Sequence, residues 1–371
     1  MITNESINKV RDEADIQVVV GSYITIKKKG ANFTGSCPFH EEKSPSFMVS
    51  VSKNIYKCFG CGAGGDPIKF VIEHEKVDFI AAVRIVADLH GITLEETEET
   101  AEDKEQVEKR VQLLAINKQV AEKYFKTLDQ LLIGHPVKQE ILKNRQLTME
   151  TINEFQIGFA PEEWKYISRD LIERGMFEPA KELGLVATSN DRNFDNFRNR
   201  IIFPIHNERG QVVGFGGRIF GENSEKAPKY INSKESVIYK KEKVLFGLYQ
   251  AQRHIRKCGF AILVEGYYDV TSMHQSGAKN TIAPCGTALT ETQIKLLKRF
   301  TDHVVLMGDG DDSGMEANLK AVDLLLKYNI RAEICTLPKP ETPGEKIDPD
   351  IFARQHPMPI EQLIDQLPET N

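Results

Sequence analysis

Apolar residues from Ile7 to Val20 recur at helical spacing, which predicts a helix at the start of the chain. Two apolar-rich runs, Ser46 to Val51 and Ile55 to Phe59, flank the turn-forming triplet Ser52-Lys53-Asn54 and predict a β-ribbon. Pro67 to His74 and Phe79 to Leu89 return to helical spacing. The pattern then lapses. Glu95 to Glu108 is rich in Glu and Thr and poor in apolar residues, the composition of a solvated linker, running into a helix over Val107 to Phe125. A first domain boundary is placed there.

The second half has a clearer rhythm. Apolar runs at Phe260 to Val264, Asn280 to Ala283, His303 to Met307 and Arg331 to Leu337 predict strands, and between them Val270 to Gln275, Thr290 to Arg299 and Met315 to Lys327 predict helices. Strands alternating with helices of this length imply right-handed crossovers and a mainly parallel sheet covered by helices. In such sheets ligands bind beyond the carboxyl ends of the strands. Glu265 follows the first of these strands, and Asp309-Gly310-Asp311 follows the third, so three carboxylates from two strands are expected to converge on one crevice. No internal repeat or low-complexity tract breaks the chain.

At 371 residues the chain has room for two or three domains. No apolar run approaches the roughly 18 residues of a membrane span, and Met1 to Val10 is polar without a secretory core, so a cytoplasmic protein is expected. Cys258, Cys285 and Cys335 sit singly in apolar surroundings and read as buried free thiols of a reducing compartment. The net charge of −6 argues against a polyanion partner until its distribution is considered. Lys plus Arg against Asp plus Glu is 11 to 11 over 1–93, 3 to 8 over 94–110, 21 to 16 over 138–257 and 10 to 17 over 258–371. A basic middle beside an acidic C-terminal part suits a polyanion groove next to a metal-binding carboxylate cluster, although counts alone favour solvated surface.

Two constellations carry chemistry. Cys37-x2-His40-x17-Cys58-x2-Cys61 supplies two close pairs of soft ligands across a short ribbon, the requirement of one tetrahedral zinc ion. All four positions are filled by protein, so the zinc is expected to hold shape and not to activate water. Asp309 and Asp311, two apart with glycine between, can aim both carboxylates one way, and hard oxygen ligands at that spacing suit magnesium or manganese. Asp348-Pro349-Asp350, beyond a Pro-rich turn, reads either as a further acidic pair or as a helix cap before Ile351 to Gln355.

With these residues in hand the chain resembles the bacterial DnaG-type DNA primases over nearly its whole length. The stretches that carry the resemblance are Cys37-Pro38-Phe39-His40, Cys58-Phe59-Gly60-Cys61, Ile157-Gly158-Phe159-Ala160-Pro161 and Phe197-Arg198-Asn199-Arg200-Ile201-Ile202-Phe203-Pro204-Ile205. Further on come Gly214-Phe215-Gly216-Gly217-Arg218, Pro228-Lys229-Tyr230-Ile231-Asn232-Ser233, Val264-Glu265-Gly266-Tyr267-Tyr268-Asp269-Val270 and Asp309-Gly310-Asp311-Asp312-Ser313-Gly314. Their order along one chain is the specific signal.

The resemblance implies an α+β multidomain architecture. It comprises a zinc ribbon domain over 1–95, an acidic linker over 96–110, a mixed α/β basic subdomain over 111–257, a Toprim subdomain with a mainly parallel sheet over 258–337, and a metal-loop and helical segment over 338–371. It implies synthesis of short RNA primers on single-stranded DNA by metal-dependent nucleotidyl transfer from ribonucleoside triphosphates, in the cytoplasm at the nucleoid. Glu265, Asp309 and Asp311 become the catalytic acidic centre, joined by Asp348 and Asp350 as magnesium or manganese ligands. Arg145, Arg198, Arg200, Arg218, Lys229, Tyr230, Asn232 and Lys241 become the surface for template and nucleotide, where each could instead serve a structural ion pair. Of the ribbon aromatics Phe33, Phe47, Tyr56 and Phe59, most are expected in the small core and one or two on template.

The chain ends at Asn371, without room for the helicase-binding domain usual in the family, so helicase docking by that route is not expected; no Gly-x-x-x-x-Gly-Lys-Ser/Thr run signals a fused helicase. Two other classes stay open at this point: another Toprim enzyme, nuclease or topoisomerase, and a zinc-dependent single-strand binding protein without catalysis.

Overall fold

The computed structural model describes residues 2–42, 44–96, 101–221, 227–286, 288–308, 312–335, 337 and 347–355. The chain divides into two compact units, 1–106 and 107–371.

In the first unit the predicted N-terminal helix is two, α1 (Asn4–Glu13) and α2 (Ile16–Gly21). The break has a local cause. The Asp15 carboxylate accepts the Gln17 N–H as an N-cap, and the Asn54 side chain bonds both Ala14 O (2.7 Å) and Ile16 N–H (2.8 Å), offering the backbone an alternative to the helical ladder. An antiparallel meander follows: β1 (Lys27–Lys29), β2 (Asn32–Gly35), β3 (Phe47–Ser50), β4 (Ile55–Cys58) and β5 (Gly64–Gly65), paired in chain order. Helices α3 (Pro67–Glu75) and α4 (Phe79–His90) are capped by Asp66 and Asp78, whose carboxylates accept the Lys69 and Ala81 N–H groups. Phe47, Tyr56 and Phe70 form the centre of the core, with Phe47 stacked on Tyr56 at 5.2 Å.

The chain leaves this unit inside a long helix, α5 (Ala101–Gln130). The acidic stretch is therefore helical from Ala101, six residues before the expected start, because glutamates are good helix formers and acidic residues suit a helix N-terminus. In the second unit α6 (Pro136–Gln139), a single π-helical turn (Glu140–Asn144) and α7 (Met149–Phe155) lead into β6 (Gly158–Ala160). Helices α8 (Ser168–Glu173) and α9 (Phe177–Glu182) and the hairpin β7 (Val186–Ser189)/β8 (Arg192–Asp195) follow. Then β9 (Arg200–His206), β10 (Val212–Ile219) and β11 (Tyr230–Asn232) join β6 in an antiparallel sheet of order β11-β10-β9-β6. Nearly every residue of β9 and β10 is buried, so the alternation that marks a half-solvated strand is missing from their sequences.

The remainder is the expected α/β rhythm: β12 (Leu245–Phe246), α10 (Leu248–Cys258), β13 (Ala261–Leu263), α11 (Tyr267–Gln275), β14 (Thr281–Pro284), α12 (Glu291–Leu297), β15 (His303–Leu306), α13 (Asp312–Lys327), β16 (Arg331–Ile334) and α14 (Pro349–Gln355). The sheet order is β12-β14-β13-β15-β16; β14, β13, β15 and β16 run parallel and β12 antiparallel at the edge. One hydrophobic cluster, including Phe203, Phe246, Tyr267 and Val305, is shared between the two sheets, and a second, including Ile255, Ile282, Ile294 and Leu325, covers the other side. Gly216 of β10 makes the joint possible, since a Cβ there would fall inside the Tyr267 ring.

Candidate metal centre and sheet-edge cleft

Cys37 follows β2, His40 comes three residues later, Cys58 ends β4, and Cys61 lies in the turn before β5. Antiparallel pairing of β2, β3 and β4 brings these two turns together, and one donor atom from each residue lies within 4.8 Å of all the others. The Cys37 and Cys61 sulfurs are 3.8 Å apart, as are the Cys58 sulfur and His40 Nδ1. A tetrahedron with metal–sulfur bonds of about 2.3 Å sets its sulfurs roughly 3.8 Å apart, so three thiols and an imidazole at this spacing fit zinc. Backbone N–H groups of Phe39 and Cys61 donate to Cys37 Sγ and Cys58 Sγ at 3.4 Å. Burial opposes ionisation of Cys58, but hydrogen bonds from the Ser46 hydroxyl and the Cys61 and Gly60 N–H groups outweigh it and bring the thiol down to about 6. Burial pushes Cys37 up to about 12, so a cation must displace a proton there. Phe47 and Tyr56 are core, while Phe59, between the two cysteines, is 70% exposed.

In the second unit, Glu265 follows β13 and is exposed on an open cleft lined also by Val264, Pro284, Gly286, Gly308 and Asn318. Strand β15 is the neighbour of β13, with Leu263 opposite Leu306, so the chain leaves the sheet after Gly308 at the same edge as Glu265. Asp309 and Asp311 lie outside the described residues. Asp269, which the sequence reading passed over, is 8% exposed and accepts the Gly266 N–H at 2.8 Å, fixing the turn that follows Glu265. The signal was present: Gly266-x-x-Asp269 has the spacing of the acidic half of a capping box.

Asp348 accepts the Ile351 N–H at 2.7 Å and so caps α14, the second of the two readings open for it. Asp350, expected as a metal ligand, lies in a buried cluster of donors. It is 1% exposed; one oxygen accepts from Ser272 Oγ (2.6 Å) and Arg354 Nε (3.2 Å), the other from Arg145 Nη1 (2.8 Å) and Arg354 Nη2 (3.2 Å). A buried carboxylate needs donors, and two guanidiniums and a hydroxyl occupy both its oxygens. Arg145, expected on template, is committed to this cluster and to Glu140, with its guanidinium 4.7 Å from the Tyr268 ring centre. Arg218 likewise faces Glu140 at 3.5 Å and the Tyr268 ring at 5.1 Å.

Arg200, expected on the template and nucleotide surface, is anchored on backbone. It is 5% exposed, and its guanidinium donates to the carbonyls of Gly217 (3.0 Å), Pro228 (3.0 Å) and Lys229 (3.4 Å). Those donors are therefore spent on backbone, tying the segment before β11 to β10. Arg198 lies over Trp164 at 4.0 Å and Phe194 at 5.4 Å and donates to Asp195 O. Asn232 is bridged, donating to Cys285 O (2.9 Å) and accepting from Tyr267 Oη (2.6 Å), and so ties β11 to the end of β14. Lys229 and Tyr230 remain exposed beside this anchored strand, and Lys241 is half-buried in a 3-10 turn (Lys241–Lys243) before β12.

A Cys3His knot in one unit and, in the other, an antiparallel sheet joined to a parallel sheet with Glu265 exposed at its carboxyl edge define a zinc-ribbon and Toprim-type protein. Three family descriptions match in that order: CHC2 zinc finger over 2–102, the DNA primase catalytic core N-terminal domain over 123–252, and a Toprim domain over 259–336. The DNA primase of Halalkalibacterium halodurans is 38% identical over 96% of this chain and 58% of its own length; that of Aquifex aeolicus is 37% identical over 95% and 67%. The crystal structure of the Aquifex aeolicus primase zinc-binding and RNA polymerase domains superposes with a TM-score of 0.61 at 36% identity, covering 97% of this chain and 85% of that one. A DnaG primase catalytic domain bound to single-stranded DNA gives 0.60 at 33% identity, over 71% and 80%. The chain belongs to the DnaG-type bacterial DNA primase family. It spans 58% of the length of the Halalkalibacterium halodurans relative and 56% of that of a DNA primase from Listeria monocytogenes, to which it is 38% identical.

Proposed function

We propose that the chain synthesises short RNA primers on a single-stranded DNA template from ribonucleoside triphosphates, in the cytoplasm at the nucleoid. The observation that carries this is the position of Glu265 on the cleft at the carboxyl edge of the parallel sheet, beside the strand that leads into Asp309-Gly310-Asp311. Joining a ribonucleotide to a 3′ hydroxyl builds negative charge on phosphorus and on departing pyrophosphate. Magnesium or manganese, held by Glu265, Asp309 and Asp311, would neutralise that charge. Asp348 has one carboxylate oxygen on the α14 cap and is at most an auxiliary ligand; Asp350 is left to its arginines.

The rest of the site orients. Asp269 holds the Glu265 turn through Gly266, and Asn232 anchors β11 against Cys285 at the end of β14. Arg200 holds the backbone of Lys229, leaving that ammonium free for a phosphate of template or nucleotide, with Tyr230 beside it as a stacking face. A relative's catalytic domain bound to single-stranded DNA supports a single-stranded template for this unit. The proposed division is a zinc domain over 1–95, an acidic linker over 96–110 that from Ala101 is the start of α5, a basic subdomain over 111–257, a Toprim subdomain over 258–337 and a metal-loop and helical segment over 338–371.

Primer synthesis on single-stranded DNA with magnesium tests the reading. Glu265→Ala and Asp309→Ala should each lower turnover by roughly a hundredfold or more, because the lost charge stabilisation is greatest in the transition state, while zinc content and template affinity stay near wild type. Near-normal synthesis by the Asp309 variant would remove the proposed centre.

A further inference from the structure

One carboxylate reaches three of the four cysteine and histidine ligands. Glu42 Oε1 accepts the backbone N–H of Cys37 (2.8 Å) and of Ser46 (3.0 Å). Glu42 Oε2 faces His40 Nε2 at 3.3 Å and accepts the Ser46 hydroxyl, which itself lies 3.2 Å from Cys58 Sγ. The Glu42 side chain is only 9% exposed. The His40 ring has its Nδ1 toward the sulfurs, so the nitrogen facing Glu42 is the one that must carry the proton when the ring ligates a metal. Gly60 is part of the same arrangement, since a Cβ there would come within 2.6 Å of His40 Nε2 and 2.8 Å of Ser46 Oγ.

We propose that Glu42 is the positioning residue of the zinc knot, setting the tautomer and aim of His40 directly, Cys37 through its backbone and Cys58 through Ser46. This goes beyond assigning the four ligands and rests on reading them as a zinc site. The physical reason is that an imidazole ligand whose second nitrogen donates to a carboxylate is a better-oriented and more basic donor. By accepting the Ser46 hydroxyl proton, Glu42 fixes the Ser46 oxygen 3.2 Å from Cys58 Sγ, and the backbone bonds to Cys37 and Ser46 tie the two sides of the knot to one anchor. The role is conformational and electrostatic; Glu42 itself is not a ligand.

Zinc competition against a chromogenic chelator, together with the visible spectrum of the cobalt-substituted full chain, tests this. Wild-type protein that binds no zinc would remove the underlying site, not this inference alone. Given wild-type binding, Glu42→Ala should lower zinc affinity roughly 10- to 100-fold and change the cobalt spectrum, yet reach wild-type circular dichroism at saturating zinc. Ser46→Ala should give a smaller loss. Glu42→Gln, which can still accept from the His40 N–H, should recover part of the affinity. An unchanged affinity in Glu42→Ala overturns the proposal, as does failure of that variant to fold at saturating zinc, which would make Glu42 a purely structural residue.

Discussion

The two units solve the problem of holding a site rigid by different means. Unit 1 packs one core around Phe47, Tyr56 and Phe70 that also takes in Cys37 and Cys58, and its two ligand turns meet through the four donor side chains. Unit 2 rests its cleft on extended clusters beneath both sheets, and Glu265 sits just beyond β13, a strand buried throughout by apolar packing. Metal is therefore a fold element in the first unit, and in the second it is proposed as a reagent. Three thiols and an imidazole at this spacing need a cation to hold their two turns together, whereas the strand that presents Glu265 is held by apolar packing.

The largest effect expected from this contrast is on zinc removal. Chelation, or Cys61→Ala, should release the metal and loosen residues 30–75, seen as lost amide protection there, while the amides of β13 and β15 stay protected. Loss of protection in both units together would break the comparison.

A second test separates anchor from contact in the basic strand of unit 2. Arg200→Ala removes a buried guanidinium from three carbonyls and should cost about 1.5–3 kcal/mol of stability in urea unfolding. Lys229→Ala should leave stability unchanged and reduce the slope of log template affinity against log salt by roughly 0.7–1, the loss of one phosphate contact. If Arg200→Ala instead changed the salt slope at unaltered stability, Arg200 would return to the template surface. An unaltered slope with impaired synthesis would move Lys229 from template to nucleotide.

The smallest effect is acid sensitivity confined to unit 2. Burial beside Tyr249 presses His206 down to about 4, below its ordinary 6.5. The native state therefore holds fewer protons than the unfolded chain between these values, so this contribution is complete above pH 6.5 and declines as pH falls toward 4. Urea midpoints at pH 7 and pH 5 should draw together in His206→Gln relative to wild type. Equal differences in the two proteins would place His206 outside the acid response.

Some of the site was legible because its signals are local. The ligand pairs Cys37/His40 and Cys58/Cys61 are each three residues apart, which a turn satisfies whatever surrounds it, and the ribbon between them was readable from its turn triplet. Strands β13, β14, β15 and β16 were legible from short apolar runs punctuated by glycine and acidic residues, and that placed Glu265 at the sheet edge. Strands β9 and β10 were not assigned, since covering both faces erases the period of two. The helix break at Asp15 depends on Asn54, a partner 38 positions away for the Ile16 N–H and 40 away for Ala14 O.

The sequence by itself determined the order of the domains, the ligand set of the metal knot and which carboxylates end strands, because each follows from spacing within one turn or one strand. Tertiary structure alone decided which charged residues are spent. Arg145 and Asp350 lie 205 positions apart and neutralise one another, and Arg200 is buried on carbonyls of Pro228 and Lys229 while Lys229 itself stays in solvent. The physical reason is desolvation: a charge excluded from water must find donors or acceptors wherever the fold places them, and that assignment has no periodicity to betray it in the chain.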